Sequence, residues 1–152
     1  MKRIIFITIT LVCLFMIACK NSGSGNDPMS KQADSLEKEV MNEHDTAMGK
    51  TSKIPKLRKE IQRLLDSIGT LPAKAQEAAA SLKVKLEELR KDIDYADFAM
   101  DKWMGEFNYD SARNNLNERI KYLMEEKLKV SKVKEAVVNG LAKADSLLKA
   151  KF

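Results

Sequence analysis

Leu36, Val40, His44 and Met48 recur at four-residue spacing with Ala33 and Met41 beside them, a pattern that predicts a helix presenting one apolar stripe. Asp27 ahead of Pro28, or else Ser30, supplies its start signal. The stripe is interrupted over residues 49–55, between Gly49 and Pro55, and resumes as Ile54, Leu57, Ile61, Leu64, Leu65 and Ile68 up to Gly69. Proline has no amide hydrogen and is tolerated in a helix's first turn, so the chain either starts a new helix here, capped by Ser52, or kinks a continuing one. The retained axis is the preferred reading.

Gly69-Thr70-Leu71-Pro72 joins a glycine stop to a capping Thr70 and an early-turn proline, which predicts a sharp reversal. A second long segment over residues 73–107 repeats Ala75, Ala79, Leu82, Leu86, Leu89, Ile93, Ala96, Met100, Trp103 and Phe107 at threes and fours. Asn108-Tyr109-Asp110-Ser111 makes the next turn, with Asp110 or Ser111 as cap. A last segment carries Leu116, Ile120, Leu123, Leu128, Val133, Val137, Leu141, Ala144, Leu147 and Leu148 and runs almost to Phe152. The expected fold class is therefore all-α. Three long segments, each about 50 to 60 Å at 1.5 Å per residue, form an antiparallel up-down-up bundle with coiled-coil-like seams. A four-helix bundle is the alternative if residues 49–55 reverse the chain.

The first 18 residues stand apart from this pattern. Lys2 and Arg3 precede an apolar run over residues 4–17 broken only by Thr8 and Thr10, the layout of a secretory signal peptide. The run is shorter than the ~20 residues that a spanning helix needs. Met16-Ile17-Ala18-Cys19 resembles the lipobox of bacterial lipoproteins, with cleavage after Ala18 and acylation of Cys19, although Met16 stands where Leu is usual. Residues 19–27 then read as a lipidated flexible tether and residues 28–152 as the helical domain. Cys13 leaves with the signal, so no thiol remains for a disulfide and the domain holds itself by packing alone.

Composition sharpens this picture. Charged residues at 32% with aromatics at 6% favour long solvated helices over a sheet or a deep pocket. The net charge of +5 would suggest a nucleic-acid partner, but loss of Lys2 and Arg3 leaves 25 basic against 22 acidic residues, and no nucleic-acid partner is expected. No GxSxG, GxxxxGK[ST] or HExxH motif occurs, and the paired carboxylates Glu87-Glu88 and Glu125-Glu126 sit at helical spacing as solvated faces, so no enzyme is expected.

Candidate chemistry centres on His44, the sole histidine. Folding the segments about turns near Leu71 and Tyr109 brings His44 level with residues 98–100 and gathers Met41, Met48, Met100, Met104 and Met124 into neighbouring layers with Trp103 and Phe107. Thioether and imidazole suit Cu(I), and a His/Met pair holds haem iron, which makes His44, Met48, Met100 and Met104 a candidate metal site, with Asp45 able to orient the ring. Against it, methionine is an adaptable core filler and a histidine on an apolar face is more often packed. Without a CxxCH run covalent haem is excluded.

His44-Asp45-Thr46-Ala47-Met48, then Ala99-Met100-Asp101-Lys102-Trp103-Met104-Gly105-Glu106-Phe107, and the stretch from Ile120-Lys121-Tyr122-Leu123 to Val133 resemble a group of short Bacteroidota lipoproteins often labelled viral A-type inclusion protein. That resemblance implies an exported helical lipoprotein without a settled activity. The tether lacks the acidic pair that sends some such proteins to the cell exterior, and Lys20 is compatible with the periplasmic leaflet of the outer membrane. The expected function is a non-enzymatic, outer-membrane-tethered module acting on an envelope protein partner, without a cofactor. A copper or haem carrier using His44 is the alternative, and a lipid-transfer role is a third.

Overall fold

A computed structural model of the chain describes residues 27–149, which form five helices and no strand. The signal segment, Cys19 and nearly all of the tether lie outside the described residues, as do residues 150–152. Helix α1 spans Pro28–Thr51, α2 Ile54–Gly69, α3 Ala73–Ala78, α4 Ala80–Glu106 and α5 Leu116–Lys149. Asp27 starts α1 by accepting from the Met29 amide at 3.3 Å, with Pro28 in the first turn, where its missing N–H costs nothing.

Burial follows a seven-residue period. Ala33, Val40 and Ala47 on α1 and Ile54, Ile61 and Ile68 on α2 are buried, so the inward register passes through the break unshifted. Helix α4 buries Leu86, Leu89, Ile93, Ala96, Met100 and Trp103, and α5 buries Arg119, Leu123, Glu126, Val130, Val133, Val137, Gly140 and Ala144, both in alternating threes and fours. A strict 3.5-residue average keeps one narrow seam facing the partner along these helices.

The inward set differs from the apolar pattern at instructive places. Ala47 is buried where the stripe called for Met48, which is 43% exposed, and Leu128 is 67% exposed. Glu126 is buried, not part of a solvated face. Apolarity alone marks a broad stripe, whereas close helix approach admits only the two heptad positions on the seam.

Cross-helix contacts set the directions. Glu37 meets Arg119 at 2.7 Å and Glu43 meets Lys134 at 2.6 Å, so α1 and α5 run the same way. Arg58 meets Asp94 and Asp97 while Gln62 meets Arg90, so α2 runs against α4. Trp103 reaches Glu126 and Asp92 reaches Lys143, so α4 runs against α5. From His44 through Arg58 to Gln62 the partners on α4 descend steadily, from Trp103 to Asp94 to Arg90, with no reversal at the break. Ser52 and Lys53 keep helical dihedrals there, and Ser52 ends α1 without capping α2: its hydroxyl bonds back to the Gly49 carbonyl.

Three further boundaries depart from expectation. Thr70 ends α2 rather than starting the next helix, with its hydroxyl on the Ser67 carbonyl, and Pro72 precedes α3. The segment over residues 73–107 is broken at Ala79, although Ala79 N still bonds Ala75 O and Lys83 N bonds Ala79 O; α3 buries no residue, so packing does not hold that turn in line. The cap of α5 is neither Asp110 nor Ser111 but Asn115, whose side-chain oxygen accepts from Asn117 N at 3.1 Å and Glu118 N at 3.4 Å.

Two core clusters result. One joins α1 to the paired ends of α4 and α5 around Met100, Trp103 and Leu123; the other joins α2 to the first half of α4 and Ala144. Leu141 packs against both. Gly140 lies where a Cβ would stand 3.3 Å from Ile93 Cδ1, so the missing side chain lets α4 and α5 approach. Among the described residues no helix is long and apolar enough to cross a membrane.

Candidate functional site

His44 projects from α1 onto α4, where its ring lies 5.4 Å from that of Trp103, one turn beyond the level inferred from the sequence. Its Nδ1 lies 2.9 Å from Asp45 Oδ1, within hydrogen-bond distance. Trp103 stacks on Phe107 at 4.8 Å, and Phe107 lies 6.1 Å from Tyr122 on α5. These four rings form a ladder across the end of the molecule that carries the 107–115 connection.

The methionines do not share one environment. Met100 is buried in the core, whereas Met48, Met104 and Met124 are exposed, and Met48 Sδ lies 3.6 Å from the Thr51 hydroxyl. The expectation that the methionines gather in neighbouring layers of the bundle interior is corrected accordingly: positions 48, 104 and 124 fall outside the heptad seam that Met100 occupies. Among the described residues no group of three His, Cys, Asp or Glu side chains is arranged to hold a metal ion.

Beside the ladder lies a polar network that the apolar pattern left unread. Trp103 Nε1 donates to Glu126 Oε2 at 2.9 Å, and Lys129 donates to Oε1 at 2.7 Å. The bond to Glu126 raises the Lys129 ammonium above its ordinary range. Arg119, with its side chain only 5% exposed, donates to Ser111 O at 2.9 Å and Glu37 Oε2 at 2.7 Å. Its guanidinium lies 5.8 Å from the Tyr122 ring centroid and 5.9 Å from that of Tyr109. Burial works against ionisation of Glu37, but hydrogen bonds from Tyr109 and Arg119 outweigh it and hold the carboxyl below its usual value. The Glu37 carboxylate in turn raises the Tyr109 phenol. Tyr122 is raised by burial first, against the lowering effect of the Asn108 amide, which donates to its oxygen at 2.7 Å.

This network fastens a connection that needs it. Ala112 adopts φ 57°, a left-handed conformation costing on the order of 1 kcal/mol for a residue with a Cβ. Arg119 and Tyr122 hold the backbone just ahead of it through Ser111 and Asn108. Arg119 and Glu126 were missed because a search for apolar residues passes over them, yet both fall on the seven-residue frame shared with Val133 and Gly140, which alternates with that of Leu123, Val130 and Val137. Among the described residues no buried side-chain polar atom lacks a partner, so each charged group here is engaged within the fold.

Two other surfaces are open. Tyr95 and Phe98, each 62% exposed and one turn apart on α4, border a groove of about 360 Å³ with Lys129, Lys132 and Val133 of α5. A second groove, about 670 Å³, lies between α2 and the C-terminal half of α5. No family model, no curated protein and no solved structure matches the chain.

Proposed function

We propose that the chain is an outer-membrane-tethered periplasmic lipoprotein whose three-arm, up-down-up bundle acts on an envelope protein partner without catalysing a reaction. In this reading α1 and α2 form one kinked arm, α4 and α5 the other two, and a lipid on Cys19 supplies the anchor. The resemblance to short Bacteroidota lipoproteins and the lipobox-like Met16-Ile17-Ala18-Cys19 run support the location.

The observation that carries the binding role is the exposed pair Tyr95 and Phe98. Two large aromatics one helical turn apart, beside a groove and outside the core, are the kind of anchors that dominate protein contacts. At the 107–115 end Trp103, Glu126, Lys129, Arg119 and Glu37 bond within the fold.

The test is a photo-crosslinking amino acid at position 98 of the chain in the bacterium that makes it, with position 77 on exposed α3 as control. A defined adduct with an envelope protein at 98 only, lost on Tyr95→Ser, is expected; equal adducts at both positions, or none at 98, would overturn the partner reading. Independently, Cys19→Ser should release the protein from the membrane fraction, and retention there would overturn the lipid anchor.

The Cu(I) or haem reading is favoured by one observation, the Asp45 carboxylate on His44 Nδ1, a pairing that leaves Nε2 oriented to ligate. Met48, Met100 or Met104 would supply the thioether. Elemental mass spectrometry of protein recovered from the envelope, beside His44→Gln, decides it. Near one copper or iron per chain, lost in the variant, supports the site; no metal in either removes it.

A further inference from the structure

The groove between α2 and α5 combines an apolar floor with cations that form no ion pair among the described residues. Leu57, Leu141 and Leu148 line its floor. Leu57 and Leu141 also pack on the core, whereas half-buried Leu148 is not among the residues packed there. Lys53, Lys56 and Lys59 stand along its α2 rim, exposed, and their ammonium groups make no hydrogen bond or ion pair among the described residues. The acids of the groove are engaged elsewhere: Glu60 receives both Arg63 nitrogens at 2.7 and 3.0 Å, and Asp145 pairs with Lys149 at 3.4 Å. Three positive charges therefore remain over the leucines. The Tyr95 groove carries less unpaired charge, because its Lys129 is paired with Glu126 and its Lys102 with Glu106, which leaves Lys132.

From this juxtaposition we infer that the α2–α5 groove binds an anionic single-chain amphiphile of the fatty-acid class, its chain along Leu57, Leu141 and Leu148 and its carboxylate at Lys53, Lys56 and Lys59. A volume of about 670 Å³ suits one small amphiphile, within the range of roughly 300 to 1,000 Å³ typical of small-ligand sites. Charge selects the head: a carboxylate is attracted by three unpaired ammonium groups, and a quaternary ammonium amphiphile is repelled. Apolar contact selects length, since acetate has a carboxylate and no chain to cover the leucines. The groove opens because α2 takes its main contact from α4, while α1 is the arm that lies along α5.

The experiment uses the full chain in phosphatidylcholine nanodiscs with a diazirine-bearing palmitic acid, and maps the labelled peptides by mass spectrometry. Label is expected in peptides containing Leu57 and Leu148, displaced by unlabelled palmitate but not by acetate or by hexadecyltrimethylammonium. The Lys53→Glu/Lys56→Glu/Lys59→Glu variant should lose labelling roughly tenfold, because three attractive charges become repulsive. Leu148→Gln, which keeps the charges and lies outside the core, should lower it as well, and circular dichroism checks that both variants remain helical. Unchanged labelling in the folded lysine variant overturns the site, as does displacement by the cationic amphiphile. Equal labelling of the same peptides by a photoactivatable phosphatidylcholine in the disc also overturns it, by assigning the surface to bilayer contact.

Discussion

The indole nitrogen of Trp103 donates to a Glu126 carboxylate oxygen at 2.9 Å, joining two residues that both occupy inward positions and are 5% and 4% exposed. An acidic group at a helix seam would be costly if left alone, but here the second oxygen takes Lys129, whose ammonium reaches in from the rim.

Trp103→Phe removes the indole donor and leaves Glu126 with Lys129 alone. The loss of stability should be about 1 to 3 kcal/mol, beyond what the smaller ring itself costs. Adding Glu126→Leu to Trp103→Phe should recover part of it, because the seam then holds apolar groups on both sides. Urea unfolding of the two single variants and the double variant measures the coupling. Additive losses would show that the bond contributes nothing.

Gly140 and Ile93 form a tight pair. Gly140→Ala gains up to ~1 kcal/mol of helix propensity but drives a methyl against Ile93 Cδ1 at 3.3 Å. Ile93→Val removes that carbon at a cost of about 0.5 to 1.5 kcal/mol. Gly140→Ala is therefore expected to be more stabilising in the Ile93→Val background than in the natural chain. Thermal unfolding of all four combinations reads this directly, and equal effects in both backgrounds would contradict the close approach.

Leu128 and Val130 separate the heptad frame from the apolar pattern. Leu128→Lys should change stability by no more than about 0.5 kcal/mol, since the side chain is 67% exposed. Val130→Ala, at a fully buried position, should cost about 2 kcal/mol. Denaturant midpoints compare the two, and the reverse order would mean that α5 is rotated about its axis.

Acid should loosen the 107–115 connection. The folded state holds the Glu37 carboxyl below its ordinary value through Tyr109 and Arg119, despite the opposing effect of burial. A depressed carboxyl contributes stability that is complete above its unfolded value and is lost as pH falls through the lower, folded one. Unfolding free energy should thus drop from just above the ordinary glutamate range downward, and Glu37→Gln should flatten that part of the profile. Urea midpoints between pH 6 and pH 2, roughly the span over which carboxylates titrate, provide the comparison. An unchanged slope in Glu37→Gln would remove the link.

The positions of the long helices and of both connections were legible in the sequence because they depend on local chemistry. Gly69 and Pro72 stop and restart a helix wherever they stand, and Asp27 with Pro28 starts one. Ile54, Ile61 and Ile68 keep the seven-residue spacing of Ala33, Val40 and Ala47, so the common register of buried residues on both sides of the break was also readable. The tertiary structure alone decided which side of each stripe faces inward. Met48 and Leu128 are as apolar as the residues that replaced them inside, but only the seam positions meet a second helix. Arg119 and Glu126 were invisible as interior residues because their partners, Glu37 and Ser111 for one and Trp103 for the other, come from distant or turn segments, and a buried charge is tolerated only once those partners arrive. The α2–α5 groove likewise exists only through packing: the spacing of Lys53, Lys56 and Lys59 is visible in the chain, but the leucines opposite them belong to a helix that begins 57 residues after Lys59, at Leu116.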